Sequence, residues 1–305
     1  MKNIMIRLLS AFIWNKQSRK RFRDKYIIKK NTPTNIQLNE ELNHLYNEII
    51  FGVQRSLATS LLHQKTFLEY RNCNQNNTVV LIGAGPTLNH FTPIKNAIYV
   101  GLNRAFLYDK VNFTYLFSID KAGLDTGKEQ YYDTFFAYDA VKFIGDQNLG
   151  EKYQIPYSRY AGIRNVREYM TTAGYMPDKL AYDLSTQPLA NSASVSIQAM
   201  QFILYTNPKK IYLVGIDCTT GSNKHFTGSC IDFSSRNENA DNNDRYVIDC
   251  WKQIKEFADC YYPDTEIISV NPVGLRGIFR DIYTKSFLHK HPEINSGEVE
   301  ILEEQ

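Results

Sequence analysis

Cysteine is scarce and unpatterned in this chain. Its 305 residues include five cysteines, an odd number, and no two of them stand in a Cys-x-x-Cys spacing. A disulfide scaffold and a cysteine-ligated zinc site both depend on paired cysteines. The sequence therefore predicts neither of them, and this cysteine usage is typical of a protein in a reducing compartment.

Long hydrophobic runs are absent as well. The apolar stretch at residues 4–14 is interrupted by Arg7, whereas a membrane-spanning helix needs about 20 predominantly apolar residues. A basic cluster follows this stretch instead of a small-residue cleavage site, which argues against a secretory signal. We therefore expect no transmembrane helix in this segment.

Several catalytic signatures are also missing. The sequence has no Gly-x-Ser-x-Gly elbow, no His-Glu-x-x-His motif, no kinase signature set and no Walker loop. No Asp-x-Asp stands at the end of a predicted strand, so a chelated metal–diphosphate site is not predicted. We accordingly expect no metal site and no required cofactor.

Net charge is small but unevenly distributed. The chain carries +3 overall, whereas residues 1–30 hold ten Lys and Arg against the single acid Asp24. That segment therefore carries a net charge of +9, and the remaining chain carries a net charge of −6. A mildly acidic body argues against nucleic acid as a partner. The apolar and basic residues of 1–30 suit a helix on an anionic membrane surface, and an ordinary solvated basic helix is the alternative.

The chain between residues 37 and 71 has apolar residues at intervals of three and four. This spacing predicts a helix, or two helices bent near Gly52, that packs on the body or on a second copy of the chain. The second alternative would make the protein a homo-oligomer. We divide the chain into a basic membrane-surface segment (1–30), a helical segment (31–77), a nucleotide-binding catalytic domain (78–282) and a C-terminal tail (283–305).

Short continuous apolar runs characterise the chain from residue 78 onward, as expected for parallel strands buried on both faces. They lie at residues 78–83, 97–101, 113–119, 141–144, 211–215 and 266–270. Helical patterns between them are clearest at 194–205 and 244–261. This alternation predicts an α/β fold with a doubly wound, mostly parallel, Rossmann-like sheet. The polar regions 150–188 and 222–243 do not fit it, and we expect them to be lid-like insertions.

The most specific feature is the turn Gly83-Ala84-Gly85-Pro86-Thr87, directly after the first predicted strand. Gly83 and Gly85 would permit a tight turn and a close backbone approach, and Pro86 suits the first turn of a helix. The free amides at that helix start, with the Thr87 hydroxyl, would then face a phosphate. The turn therefore predicts a nucleotide site, although the third glycine of the dinucleotide fingerprint is missing.

Polar residues also follow the next two predicted strands, namely Asn103 and Asp120. The carboxyl ends of parallel strands line the ligand crevice of such a sheet, so these side chains are candidates for ribose, base or sugar contacts. Turn formation and helix capping are the alternative roles. Ser192 and Ser194 precede a predicted helix, where they would cap it or help to hold an anion.

The residues suggest one general base. Asp217 and His225 form the only nearby carboxylate–imidazole combination on a predicted strand-end loop, and both are candidate catalytic residues. His225 could take a proton from a substrate hydroxyl or contact a phosphate, and an ordinary surface histidine is the alternative.

Five short motifs follow one another along residues 78–275. They are Ile82-Gly83-Ala84-Gly85-Pro86-Thr87-Leu88, Gly101-Leu102-Asn103-Arg104, Asn191-Ser192-Ala193-Ser194, Ile211-Tyr212-Leu213-Val214-Gly215-Ile216-Asp217 and Val270-Asn271-Pro272. This ordered set resembles the bacterial lipooligosaccharide sialyltransferases. It is also similar to a broader group that contains 6-hydroxymethylpterin diphosphokinase-like proteins and flagellin-glycosylation proteins.

The resemblance implies roles for particular residues. In the sialyltransferases the glycine turn and the asparagine after the second strand hold the CMP part of CMP-sialic acid, which assigns that role to residues 83–87 and Asn103. Asp120 stands where the family has asparagine, and residues 192–194 correspond to its Thr-Ser-Gly. Such enzymes are metal-independent inverting transferases with a histidine base. At the position of that histidine this chain has Asp244-Arg245-Tyr246, so the base would be His225 or Asp244.

The sequence thus favours a glycosyltransferase that moves a sugar from a nucleotide donor, preferably CMP-linked, to a surface polysaccharide or lipooligosaccharide acceptor. Residues 1–30 would hold it at the inner face of the cytoplasmic membrane. Two alternatives stay open. One is an ATP- and Mg²⁺-dependent diphosphokinase of the 6-hydroxymethylpterin type, and the other is a non-catalytic assembly protein that keeps the nucleotide fold.

Overall fold

The computed structural model describes residues 16–23, 35–125, 131–146, 154–172, 179–192, 194–218, 226, 240–294, 297 and 299–303. The chain forms two compact units, Met1–Leu57 and Ala58–Gln305. Within the described ranges, no helix is both long and apolar enough to cross a membrane.

The described ranges contain seven α-helices: α1 (Lys16–Arg23), α2 (Asn35–Phe67), α3 (Lys121–Leu124), α4 (Tyr132–Ala137), α5 (Val195–Tyr205), α6 (Ala240–Tyr261) and α7 (Lys285–Lys290). Shorter 3₁₀ helices lie at Leu68–Tyr70, Pro86–His90, Asn103–Leu107 and Tyr157–Arg159. Helix α2 carries residues of both units and continues through Gly52 without a break, so the helical prediction for this segment is confirmed.

In the part of the chain that the structure describes, nine strands form a single sheet: β1 (Thr78–Ile82), β2 (Ile98–Leu102), β3 (Tyr115–Ser118), β4 (Val141–Asp146), β5 (Val166–Met170), β6 (Lys210–Val214), β7 (Glu266–Val270), β8 (Arg280–Tyr283) and β9 (Glu300–Ile301). Their order is β5-β4-β3-β2-β1-β6-β7-β8-β9. Every neighbouring pair is parallel. The predicted doubly wound, Rossmann-like α/β fold is therefore confirmed.

The centre of the sheet is a topological switch point. Strand β1 pairs with β2 on one side and with β6 on the other, so the chain builds one half of the sheet before it returns to build the other. Ligands of doubly wound sheets bind outside the carboxyl ends of the strands, next to such a switch point.

The structure differs from the sequence-based boundaries in two places. Strand β5 lies inside the region 150–188, which was expected to be an insertion, and residues 283–303 add helix α7 and strand β9 rather than a detached tail. Both strands are at the edges of the sheet. Edge strands leave polar side chains exposed, so they lack the continuous apolar run that reveals a central strand.

Helix α5 is fixed on one face of the sheet by aromatic packing. All eleven of its residues are buried, and it contacts β1, β2 and β3. The Phe202 ring lies 5.3 Å from that of Phe117 and 4.8 Å from that of Phe143, whose own rings are stacked 4.6 Å apart. Because α5 connects the carboxyl end of β5 to the amino end of β6, its N-terminus lies at the carboxyl edge of the sheet.

Candidate active site

The loop after β1 packs directly on the loop after β6. The amides of Gly83 and Gly85 donate to the carbonyls of Val214 and Gly215, at 2.8 and 2.9 Å. A Cβ on Gly85 would lie only 2.7 Å from the Gly215 oxygen. Gly215 itself has a φ of +65°, which favours glycine. The glycines therefore allow the loop after β1 and the loop after β6 to approach each other closely.

Asp217 occupies the start of the 3₁₀ helix Pro86–His90. Its carboxylate accepts hydrogen bonds from the Thr87 amide, at 3.1 Å, and from the Thr87 hydroxyl. Burial raises the pKa of Asp217, and the hydrogen bonds from Thr87 offset part of this rise. A carboxylate of the chain thus binds both Thr87 groups that were expected to face a phosphate. The oxygens of Asp217 are engaged in this buried contact, and its catalytic role stays a prediction.

Among the described residues, one backbone amide of the turn is left without an acceptor. Leu88 donates to the Gly85 carbonyl at 3.1 Å, and Pro86 has no N–H group. The Ala84 amide donates to no acceptor in the part of the chain that the structure describes, whereas the Ala84 carbonyl accepts from Phe226 at 2.9 Å. Ala84 is thus the residue of this turn that can donate to a ligand.

Asn103 follows β2 in a left-handed backbone conformation, with φ +49°. The register pairs Leu102 with Phe117, so the next residues, Asn103 and Ser118, lie side by side. Accordingly the Ser118 hydroxyl donates to Asn103 Oδ1 at 3.0 Å. A Cβ on Gly123 would lie 2.6 Å from Asn103 Cγ, so this side chain is also held from the α3 side.

The amide end of Asn103 is available for a ligand. Oδ1 is occupied by Ser118, while Nδ2 donates to no acceptor among the described residues. The residue is half-buried, so a ligand can reach it. Sequence reasoning did not select Ser118. Its position at the end of a buried strand, next to the end of the neighbouring strand, could have identified it.

Asp120 caps helix α3. Its Oδ1 accepts from the Gly123 amide at 2.8 Å, which is the capping alternative foreseen for this residue. It lies at the carboxyl end of β3, next to the Asn103 site, and is half-buried.

The N-terminus of α5 brings three more polar residues to the same edge. Ser194 caps the helix by accepting from the Ser196 amide at 3.3 Å, and the Ser192 hydroxyl donates to the Ser194 carbonyl at 2.8 Å. Asn191 is buried, and its Oδ1 has no hydrogen-bond partner within the described ranges. A buried amide oxygen without a partner is unfavourable, which makes Asn191 a candidate ligand contact that sequence reasoning did not select.

The two candidate bases lie partly or wholly beyond what the structure describes. His225 is outside the described residues; Phe226, which follows it in the sequence, is bonded to Ala84. Asp244 lies in helix α6, and its side chain is outside the described part. Helix α6 connects β6 to β7 and therefore begins at the carboxyl edge. In the described ranges no three His, Cys, Asp or Glu residues are grouped to hold a metal ion.

Comparison with known proteins yields distant structural similarities. No family model and no curated protein matches the chain. The MAf glycosyltransferase from Magnetospirillum magneticum AMB-1 is similar over 75% of this chain and 38% of its own length, at 11% identity and a TM-score of 0.44. The chain thus spans well under half of that protein.

Two sialyltransferase structures are similar at a comparable level. The sialyltransferase CstII from Campylobacter jejuni, in complex with the substrate analogue CMP-3FNeuAc, is 13% identical over 63% of this chain and 80% of its own, with a TM-score of 0.37. A further CST-II structure, in complex with CMP, is 13% identical over 64% of this chain and 80% of its own, with a TM-score of 0.35. All of these similar structures are glycosyltransferases.

Proposed function

We propose that this chain is a glycosyltransferase that binds a nucleotide sugar at the carboxyl edge of its sheet. The observation that carries the proposal is Asn103, whose Oδ1 is fixed by Ser118 while its Nδ2 is left without an acceptor among the described residues. A side chain held in place with one donor exposed beside a switch point is the arrangement expected of a preorganised ligand contact.

The donor site is built from the groups that remain available. The Ala84 backbone amide and the Asn103 side-chain Nδ2 would donate to the phosphate or ribose of the nucleotide. The Asn191 Oδ1 would accept from a hydroxyl. Residues 83–87, which Asp217 binds through Thr87, would line one side of the site. Asp120, Ser192 and Ser194 would line the rest of the carboxyl edge. The sequence resemblance favours a CMP-linked donor over a UDP- or GDP-linked one.

The proposed reaction is an inverting displacement. His225 or Asp244 takes the proton from an acceptor hydroxyl, and the acceptor oxygen then forms a bond to the anomeric carbon. The bond between that carbon and the phosphate oxygen breaks, and the electron pair leaves with the nucleotide. Hydrogen bonds from the Ala84 backbone amide and from Asn103 Nδ2 would stabilise the charge that develops on this leaving group, because both donors are oriented before the reaction starts.

The acceptor is proposed to be a surface polysaccharide or lipooligosaccharide precursor held at a membrane. Helix α1 supports this part, because five of its eight residues are Lys or Arg and none is acidic. A basic residue near an anionic lipid surface contributes about 1 kcal/mol, so such a helix would keep the enzyme beside a lipid-linked acceptor.

A thermal-shift panel tests the proposed donor. CMP-, UDP- and GDP-sugars, and ATP with Mg²⁺, are added separately to the whole protein. A ligand that binds only the folded state at 100 times its Kd stabilises it by about 2.7 kcal/mol, which is a clear rise in Tm. We expect a rise with a CMP-sugar. A rise with ATP and Mg²⁺ alone would favour the diphosphokinase alternative, and no rise with any ligand would contradict the proposed function.

A further inference from the structure

Helix α2 carries a stripe of exposed apolar side chains. Tyr46, Val53 and Leu57 are 61–62% exposed, and Ile50 is 38% exposed. Soluble proteins rarely leave a contiguous apolar patch of this kind uncovered unless it is an interaction surface. The stripe continues to Leu42 on one side and to the exposed Leu61 on the other.

The spacing of the stripe is the same in both directions along the helix. Its positions 42, 46, 50, 53, 57 and 61 are separated by four, four, three, four and four residues. At 100° per residue they fall within an arc of about 100° on one face. Reversing the helix about the point between Phe51 and Gly52 superimposes the stripe on itself, which is the condition for a self-complementary, two-fold interface.

We propose that two copies of this chain associate through α2, with the helices antiparallel and the two-fold axis between Phe51 and Gly52. In this arrangement Tyr46 of each copy faces the other copy's Leu57. Ile50 of each copy likewise faces the other copy's Val53.

The helix dipoles favour the antiparallel direction. They attract one another when two packed helices run in opposite directions and repel one another when the helices run in the same direction.

The exposed area is sufficient for a stable pair. The five exposed side chains of the stripe can each contribute roughly 100 Å², and the half-buried Leu42 contributes less, so two copies would bury about 1,100 Å² in total. This is above the roughly 1,000 Å² expected of a biological interface. A second copy of the chain therefore accounts for the stripe without requiring another partner.

Sedimentation equilibrium on the whole protein tests the association. We expect twice the mass of one chain for the wild type and the mass of one chain for Leu57→Glu and Val53→Glu. Both positions are exposed, so the monomers should fold, which circular dichroism would verify. Phe51→Glu is the matched control, because Phe51 is equally apolar and 65% exposed but lies about 130° away from the stripe centre. That variant should remain dimeric.

Cross-linking tests the direction of the pair in a protein with Cys73, Cys230 and Cys260 replaced by serine. Tyr46→Cys and Leu57→Cys together should form an intermolecular disulfide, because these positions face each other in the antiparallel pair. Leu57→Cys alone should not, since the two copies of position 57 would be about 16 Å apart along the axis. The reverse pattern would overturn the antiparallel arrangement. A monomeric wild type, or a dimer that persists in both glutamate variants, would overturn the interface itself.

Discussion

The Asp217 carboxylate binds both the amide and the hydroxyl of Thr87, across 130 residues of sequence. The contact joins the loops that follow the two central strands of the sheet. The sequence of this turn suggests a phosphate-binding loop, but its Thr87 groups form hydrogen bonds within the protein. This contact occupies the Thr87 amide and hydroxyl, and in the proposed site a ligand would use the donors next to them.

Removing the hydroxyl of Thr87 should destabilise the protein. Thr87→Val leaves one oxygen of the buried carboxylate without its donor, which costs about 1–3 kcal/mol. Thr87→Ser keeps the hydroxyl and should lose less than half as much. Urea unfolding at pH 7 measures both free energies, and equal losses in the two variants would refute the role given to the hydroxyl.

Gly85 should not tolerate a methyl group, although its φ of −69° suits any residue. The added Cβ of Gly85→Ala would lie 2.6 Å from Asp217 Cγ and 2.7 Å from the Gly215 oxygen, so we expect a loss of about 1–3 kcal/mol. Gly52→Ala is the matched control: it has open space in the middle of a helix and should gain about 0.5–1 kcal/mol. Thermal unfolding of the two variants should shift Tm in opposite directions. A neutral Gly85→Ala would show that the two loops are not tightly packed.

His63 is a neutral, buried histidine with a defined tautomer. Its Nδ1 lies 3.0 and 2.9 Å from the carbonyls of Leu184 and Gln187, and its Nε2 accepts from the Met170 amide at 2.8 Å. Nδ1 must therefore carry the proton. Burial lowers the pKa of His63 to about 4, against 6.5 for an ordinary histidine.

This pKa makes the folding stability pH-dependent. Between pH 6.5 and 4 the unfolded chain takes up a proton at His63 and the folded chain does not, so stability should fall by about 3 kcal/mol as the pH drops through this window. His63→Gln keeps an acceptor for Met170 and donors for the two carbonyls but does not titrate. Urea titrations from pH 4 to 7 should give a flatter curve for this variant. Identical curves would mean that His63 is not neutral in the folded protein.

The central strands were predictable, because β1 and β6 are continuous apolar runs that end in glycine and are buried on both faces. The edge strands β5 and β9 could not be predicted from the sequence. Of β5 only Tyr169 is fully buried, and β9 is two exposed residues long. Their pairing depends on neighbours that are distant in the sequence, and no local pattern encodes it.

The candidate site was predictable only in part. Asn103 could be identified because polar residues at strand ends face the crevice of a parallel sheet. The function of Gly85 could not be predicted, because its missing side chain makes room for Gly215 and Asp217, which lie 130 and 132 residues further along the chain. A glycine that approaches a phosphate and a glycine that approaches another loop have the same local sequence.

The proposed donor site is tested most directly by calorimetric titration of a CMP-sugar into the wild type, Asn103→Asp and Asn96→Asp. Both asparagines have a left-handed backbone, with φ +49° and +58°, and they flank the same strand at its carboxyl and amino ends. Aspartate tolerates that backbone and can still accept from Ser118, so the fold should be unchanged. We predict binding by the wild type, unaltered binding by Asn96→Asp, and at least about tenfold weaker binding by Asn103→Asp, because a donor is replaced by a negative charge. Equal affinities for all three proteins, or no binding by the wild type, would contradict a nucleotide-sugar site at the carboxyl edge.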